Sequence, residues 1–474
     1  MTSMGLLGTF TNIKEPSMKT LAFLFLINIS AFAVNPDQKT LPIDLAPYEA
    51  PLSRETLPVA APPIGPIHSL AEWEKSEGVM VLWTNPSLVR ALQKNGNVKL
   101  FSDDRSSQSW WENWLKSNGI SDQGVSYFRI PTDSIWIRDY GPWFILDGNS
   151  QLGIVHSKYN RPRPTDDQVA SRIAQIKKIP YYPTGLVHTG GNYYNDGMGN
   201  AFSSTLVFSE NSSLSKDTVL TRMKDFLGIE RYTTSELGKK ITIEHMDTFG
   251  KLVSPDTWVF SDFPANSKFK KDSDQMVKML SQMKSPNGNP YRIFRMKMTL
   301  RPGSSREDYR AYINSFISNH AVYYPTYGDA IDQEAKAVYE AALPGYEVVG
   351  VDGRQTEWGD SVHCRTRNLL TRETVFLFPK MNLTKGTLEI QGDFIATPGE
   401  KVTEVTAYLR PANTEEAWEA HPMTAGTGSN YSLKISDLKS GDKLNLYLEA
   451  TDSKDSKASY PRFAPRNLVE LVIP

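Results

Sequence analysis

The chain reads as an α/β protein that carries an all-β module at its C-terminal end. Three observations support this. Between about residues 65 and 375, short apolar runs rich in β-branched residues alternate with segments of helical spacing, the pattern of layered strands and helices. From residue 376 onward the helical spacing stops, and strand-like pieces follow one another between Asn, Gly, Ser and Pro turns. Finally, 474 residues with 39% apolar and 22% charged side chains are enough for two or three domains with self-sufficient cores. The formal net charge of −1 excludes a general pull toward nucleic acid or anionic lipid.

Residues 1–33 read as an N-terminal extension followed by an export signal. Met18-Lys19 is a short positive start, Leu21 to Val34 is almost wholly apolar, and Ala31-Phe32-Ala33 has the form of a cleavage site. The apolar run is too short to span a bilayer comfortably, and no later stretch would cross a membrane. The expectation is a secreted or extracytoplasmic protein, with a start at Met18 and cleavage near Ala33. Residues 34–66 are rich in Pro and Ala and are expected to form an extended arm or removable pro-segment.

The domain at 67–375 opens with an expected helix start at Glu72 to Lys75 and a buried strand at Val79 to Trp83. Pro86 to Lys94 is helical in pattern, with Asn85 as its cap and proline tolerated in the first turn. Val98 to Phe101 is a strand, Trp110 to Ser117 a helix and Val125 to Ile130 a strand. Ser215 to Leu227 has helical spacing at Val219, Leu220, Met223 and Leu227. Gln333 to Leu343 is a further helix, and Tyr346 to Val351 a further strand. No internal repeat is visible in the sequence. In 376–474 the strand-like pieces fit an immunoglobulin-like sandwich, with pieces at Thr374 to Leu377, Thr387 to Ile390, Val402 to Leu409, Tyr431 to Ile435 and Lys443 to Ala450. That module has no cysteine for an inter-sheet disulfide and no catalytic constellation.

Cys364, in His363-Cys364-Arg365-Thr366, is the one cysteine of the chain. It cannot pair internally, so it is either inert core filler or a nucleophile. Its polar flanks argue against an apolar burial site. Asp139, in Trp136-Ile137-Arg138-Asp139-Tyr140-Gly141-Pro142, is expected on a strand-end loop ahead of a Gly-Pro turn; an Arg138–Asp139 surface pair is the plainer reading. Thr189-Gly190-Gly191-Asn192, with Gly197 and Gly199 beyond it, allows close backbone approach or left-handed angles. In Ile243-Glu244-His245-Met246-Asp247 a strand would project His245 and Asp247 to one side. A structural His–Asp pair or metal ligation are the alternatives there, although no second His/Cys cluster accompanies them. Arg161 and Arg163, separated by proline, suit a bidentate carboxylate clamp or a solvated connector.

As a set, Trp136-x-Arg138-Asp139-Tyr140, Tyr159-Asn160-Arg161-Pro162-Arg163-Pro164, Thr189-Gly190-Gly191-Asn192-Tyr193, His245-x-Asp247, Tyr312-x-Asn314-Ser315 and His363-Cys364-Arg365-Thr366 resemble the guanidino-group-modifying superfamily. The similarity is to the secreted, porphyromonad-type peptidylarginine deiminases, with the agmatine deiminases related. The resemblance implies a five-bladed, pseudo-symmetric α/β propeller followed by the sandwich. It implies Cys364 as nucleophile, His245 as general acid and base, Asp139 and Asp247 as guanidinium holders, and Asn314 as a support for the catalytic group. Trp136 would flank the arginine stem, and Arg161 and Arg163 would meet a substrate's terminal carboxylate. The activity implied is deimination of arginine, preferably C-terminal peptidyl arginine, to citrulline and ammonia, with no cofactor or metal. The partners implied are peptides or proteins ending in arginine. Gly141-Pro142 follows the agmatine-type string, so conversion of agmatine to N-carbamoylputrescine is the near alternative. A Cys-His peptidase is a more distant one.

Overall fold

The computed structural model describes residues 57–102, 107–239, 242–304, 307–356 and 359–474, which lie within one compact unit. The expected leader and most of the expected arm lie outside these residues. The end of the arm runs extended along the first sheet: Ala60 N donates to Pro183 O at 2.9 Å, and Gly148 N donates to Ile64 O at 2.6 Å.

Up to Leu370, the described strands form five small sheets of one recurring order. In each, a first strand pairs antiparallel with a second, and the second pairs parallel with a third. The triplets are Trp143–Leu146, Leu152–Lys158 and Tyr181–Val187; Tyr194–Asn195, Asn200–Ser204 and Arg231–Ser235; Gly250–Ser254, Thr257–Asp262 and Arg292–Lys297; Phe316–Ser318, Ala321–Thr326 and Glu347–Asp352; and Thr366–Leu370, Ser76–Val81 and Val98–Phe101. Helical segments carry each parallel crossover: Val169–Lys177, Leu206–Glu210 with Lys216–Leu227, Lys270–Gln282, Ile331–Ala342 and Pro86–Asn95. Parallel neighbours need such crossovers, and a helix laid on the sheet buries its apolar stripe there. The last triplet joins the two ends of this region, since Thr366–Leu370 pairs with Ser76–Val81.

The helix starts follow from their caps. Asn85 Oδ1 accepts from Leu88 N at 3.0 Å and Ser215 Oγ from Thr218 N at 3.0 Å, satisfying first-turn donors that lack an intrahelical partner. Helix Gln108–Ser117 starts earlier than the apolar pattern indicates, because Ser107 caps it by accepting from Trp110 N at 3.2 Å. Glu72 to Lys75 is a turn and not a helix start. Glu72 is drawn inward there by buried cations, and local propensity does not register that tertiary demand.

The C-terminal module is β-rich, as expected. One sheet orders Val375–Thr384, Thr387–Ala396, Asn430–Ile435 and Thr424–Ala425. The other orders Glu419–Pro422, Val402–Pro411, Lys443–Asp452 and Lys457–Tyr460, and Val469–Val472 pairs with Lys443–Asp452. Their inner faces share an apolar core that includes Leu388, Ile390, Val405, Leu446 and Leu448. The module is fastened to the rest: the His68 and Phe378 rings stack at 4.2 Å, and Tyr460 donates to Asn287 Oδ1 at 2.6 Å.

Candidate active site

The chemically competent residues occupy equivalent positions in the recurring unit, each just before the first strand of a sheet. Asp139 precedes Trp143–Leu146, Gly191 and Asn192 precede Tyr194–Asn195, and His245 and Asp247 precede Gly250–Ser254. Asn314 precedes Phe316–Ser318, and Cys364 precedes Thr366–Leu370. Five equivalent connections therefore deliver six different side chains, Asp139, Asn192, His245, Asp247, Asn314 and Cys364, to one region.

Local structure differs from expectation at two of these turns. Asp139 sits on a one-turn helix, Ile137–Tyr140, and not on an irregular loop. Met246–Thr248 is a 3-10 turn, so His245 and Asp247 do not alternate along a strand. They converge because Asn192 Oδ1 anchors the turn, accepting from Met246 N at 3.2 Å and Ser204 N at 2.8 Å. Gly191 marks the point of convergence. A Cβ there would lie 2.7 Å from His245 Nδ1, 2.8 Å from Asp139 Oδ1 and 3.1 Å from Asp247 Oδ2. Glycine is required by close approach, not by a left-handed angle. Its N–H donates to Asp139 Oδ1 at 3.1 Å.

Cys364 is fully buried, contrary to what its polar flanks suggest. Those flanks are turned into partners: Arg365 pairs with Asp360, and His363 bonds two carboxylates. The thiol donates to Asp247 Oδ2 at 3.5 Å and receives Asn314 Nδ2 at 3.3 Å. Asn314 Oδ1 accepts from Ser361, His363 and Cys364 N–H groups at 3.1, 3.0 and 3.3 Å. One amide thus shapes the nucleophile's turn and touches its sulfur.

Burial pushes the Cys364 thiol well above its usual range, and Asp247, Asp360 and Asp139 add to the rise. Burial lifts Asp139 to about 7 even though Gly191 N–H and Arg161 oppose it. Burial and the Asp139 charge hold the Asp247 carboxyl well above its ordinary value. Burial, Arg161 and His188 bring His245 down to about 3, so its imidazole is neutral at neutral pH. His245 Nε2 lies 3.2 Å from Thr189 Oγ1, and Nδ1 lies 3.7 Å from Asp139 Oδ1.

Trp136, Arg161 and Arg163 are also buried. Arg163 lies over the Trp136 ring at 4.8 Å and donates to Tyr159 OH at 3.3 Å; that hydroxyl in turn reaches Asp139 Oδ2 at 3.3 Å. Arg161 is close enough to lower both Asp139 and His245 electrostatically. A separate cavity of about 710 Å³ opens where Pro62 to His68 meets Phe378 and Asp393, and none of these catalytic candidates lines it.

Sequence reasoning missed His363 and Glu72. His363 Nδ1 lies 2.7 Å from Asp247 Oδ2, and Nε2 lies 2.8 Å from Glu72 Oε2. Glu72 also pairs with Lys251 and, at 2.9 Å, with Arg138. The only local hint was His363's place beside Cys364, and Glu72 carries no signal at all in its own segment.

A thiol, a neutral imidazole and two carboxylates converging in a buried site, on sheets of this recurring order, define an enzyme of the guanidino-modifying class. Residues 68–369 match the model of the Porphyromonas-type peptidyl-arginine deiminases, and the chain belongs to that family. Among curated relatives, the agmatine deiminase of Pseudomonas fluorescens is 24% identical over 281 residues, 51% of this chain and 76% of the relative. Among solved structures, the agmatine deiminase of Enterococcus faecalis matches with a TM-score of 0.58 at 19% identity, covering 65% of this chain and 96% of that one. A candidate arginine deiminase of Porphyromonas gingivalis matches with a TM-score of 0.55 at 21% identity, covering 64% and 98%.

Proposed function

We propose that the enzyme hydrolyses the guanidinium of arginine, preferably at the C-terminus of a peptide, to citrulline and ammonia. The observation that carries this is the convergence of Asp247, Asp139 and His245 around Gly191, with the Cys364 thiol on Asp247 Oδ2 and Arg161 close by. We take the five sheets as blades of one closed propeller, and the β-rich module as an immunoglobulin-like domain of an exported enzyme.

A guanidinium is planar and positively charged, and its N–H groups suit two carboxylates that hold its plane. Asp139 and Asp247 hold it, and its charge offsets their effect on the thiol. Neutral His245 takes the thiol proton, and the Cys364 sulfur bonds to the central carbon. The tetrahedral adduct then expels one nitrogen, which leaves as ammonia with the proton from His245. Water next gives a proton to His245 and bonds to the same carbon. The C–S bond breaks as the adduct's hydroxyl proton passes to sulfur, leaving the urea group of citrulline and the free thiol, and the proton on His245 leaves with the ammonia as ammonium. Arg161 and Arg163 meet the terminal carboxylate.

The test offers three substrates to the purified protein: a peptide ending in arginine, the same peptide with internal arginine, and agmatine. Ammonia release should be fastest with the first. Equal or faster turnover of agmatine would replace this reading with the agmatine one, which the names of the curated relatives favour.

A further inference from the structure

His363 is fully buried, and each of its ring nitrogens lies within hydrogen-bond range of a carboxylate oxygen, at 2.7 Å to Asp247 and 2.8 Å to Glu72. Every such contact needs one hydrogen, and a neutral imidazole brings only one. The triad therefore holds one proton more than a neutral ring between two carboxylates. Glu72 is not its natural resting place, because Lys251 and Arg138 pair with that carboxylate. Despite burial, those cations and His363 hold Glu72 well below the usual carboxylate range.

The extra proton is thus confined to Asp247 and His363. The groups facing the ring are Asp247 from the turn Met246–Thr248, Glu72 from the turn after His68–Ser69, Lys251 from Gly250–Ser254, Arg138 from Ile137–Tyr140 and Tyr194 from Tyr194–Asn195. Asp247 Oδ2 and Asp139 Oδ1 flank the same point beside Gly191, and the Asp139 charge acts on Asp247. Two carboxylates so close resist joint ionisation in an empty site. A bound guanidinium demands it, and Asp247 Oδ1, buried without a partner, is free to accept.

Resting on the guanidinium reading of the site, we propose that one proton sits on Asp247 Oδ2 in the empty enzyme and moves to His363 Nδ1 when a guanidinium binds. The Oδ2–H bond breaks, an Nδ1–H bond forms, and the electron pair stays on the carboxylate. His363 is then a positioning residue. It lets both acids face the substrate ionised without sending a proton from a buried site to solvent. Burial, Arg138 and Lys251 all favour a neutral His363 in the empty site, in keeping with that starting state.

The test uses Cys364→Ser enzyme, so that no turnover occurs. Arginine-terminated dipeptide and agmatine are titrated calorimetrically in two buffers of different ionisation heat, which counts the protons released on binding. Adding His363→Asn, which retains a polar contact but cannot hold the proton, should release one more proton per ligand. Affinity in the double variant should then rise with pH by up to about tenfold per unit. An unchanged proton count and pH profile in a folded double variant would assign His363 a purely structural part and overturn the proposal. Should that variant not fold, 15N-histidine spectra of Cys364→Ser enzyme decide. One buried ring should become doubly protonated on saturation, and a ring that stays neutral overturns the proposal. If neither guanidinium binds, the reading of the site fails and this inference falls with it.

Discussion

Asn314 offers the most discriminating perturbation. In Asn314→Asp, one oxygen still accepts from the Ser361, His363 and Cys364 N–H groups, so the nucleophile's turn is held. The group 3.3 Å from Sγ changes from an amide donor to a carboxyl oxygen. A lost hydrogen bond to a charged group is worth about 1.5–3 kcal/mol. An ionised carboxylate at that distance would repel a thiolate by about 5 kcal/mol at an effective dielectric of about 20. An ionised carboxylate adds this repulsion to the lost bond, so the first figure sets the least effect expected. At about 1.36 kcal/mol per pH unit, it raises the pH midpoint of thiolate formation by about 1–2 units. The assay is iodoacetamide alkylation of Cys364 across pH, read by mass; a chain with one cysteine gives one labelled site. Activity should fall by about 10- to 150-fold over the same comparison, and the melting temperature should fall by a few degrees because the amide also donates to Asp247 O at 3.3 Å. An alkylation curve that overlays the wild type would refute the claim that the Asn314 amide supports the thiolate.

Gly191→Ala puts a methyl carbon less than 3 Å from His245 Nδ1 and Asp139 Oδ1; kcat should drop by at least about 100-fold through displaced catalytic groups, and wild-type kcat would contradict the convergence described. Arg161→Ala should raise KM for a peptide ending in arginine by about 10- to 150-fold, the worth of one charged hydrogen bond, while the corresponding arginine amide changes little; equal losses on both would remove the clamp. Lys251→Met deprives buried Glu72 of one cation and should cost about 3–5 kcal/mol in denaturant unfolding; a loss under about 1 kcal/mol would show that Arg138 alone suffices. Glu72 is held below its unfolded value, so its stabilisation is complete above about pH 4.3 and is lost as pH falls toward the folded value. Glu72→Gln should therefore flatten the acid limb of the stability–pH curve, and an unaltered limb would contradict that sign.

Much of the secondary structure was legible because helix and strand signals are local. Asn85 and Ser215 caps, β-branched runs and Gly-Pro turns act over a few residues, and those elements lie where their patterns indicate. The fivefold recurrence was not legible. Its units share backbone order but not side chains, because each turn presents a different functional residue. The expected helix at Glu72 and the expected strand at His245 failed for one reason. Both segments are shaped by partners distant in the chain, Lys251 and Arg138 for the first and Asn192 for the second.

The amino-acid sequence by itself determined which chemistry was available: one thiol, a histidine and aspartates in glycine-marked turns, in an order shared with a known family. It also determined where regular elements begin and end, since capping and periodicity depend on neighbours along the chain. Tertiary structure alone decided that Cys364 is buried, that Asn314 cradles it, and that His363 lies between Asp247 and Glu72. Those outcomes depend on distances between residues separated by up to 291 positions. Desolvation and pairwise charge, which set the reactivity of the site, are defined only once such distances exist.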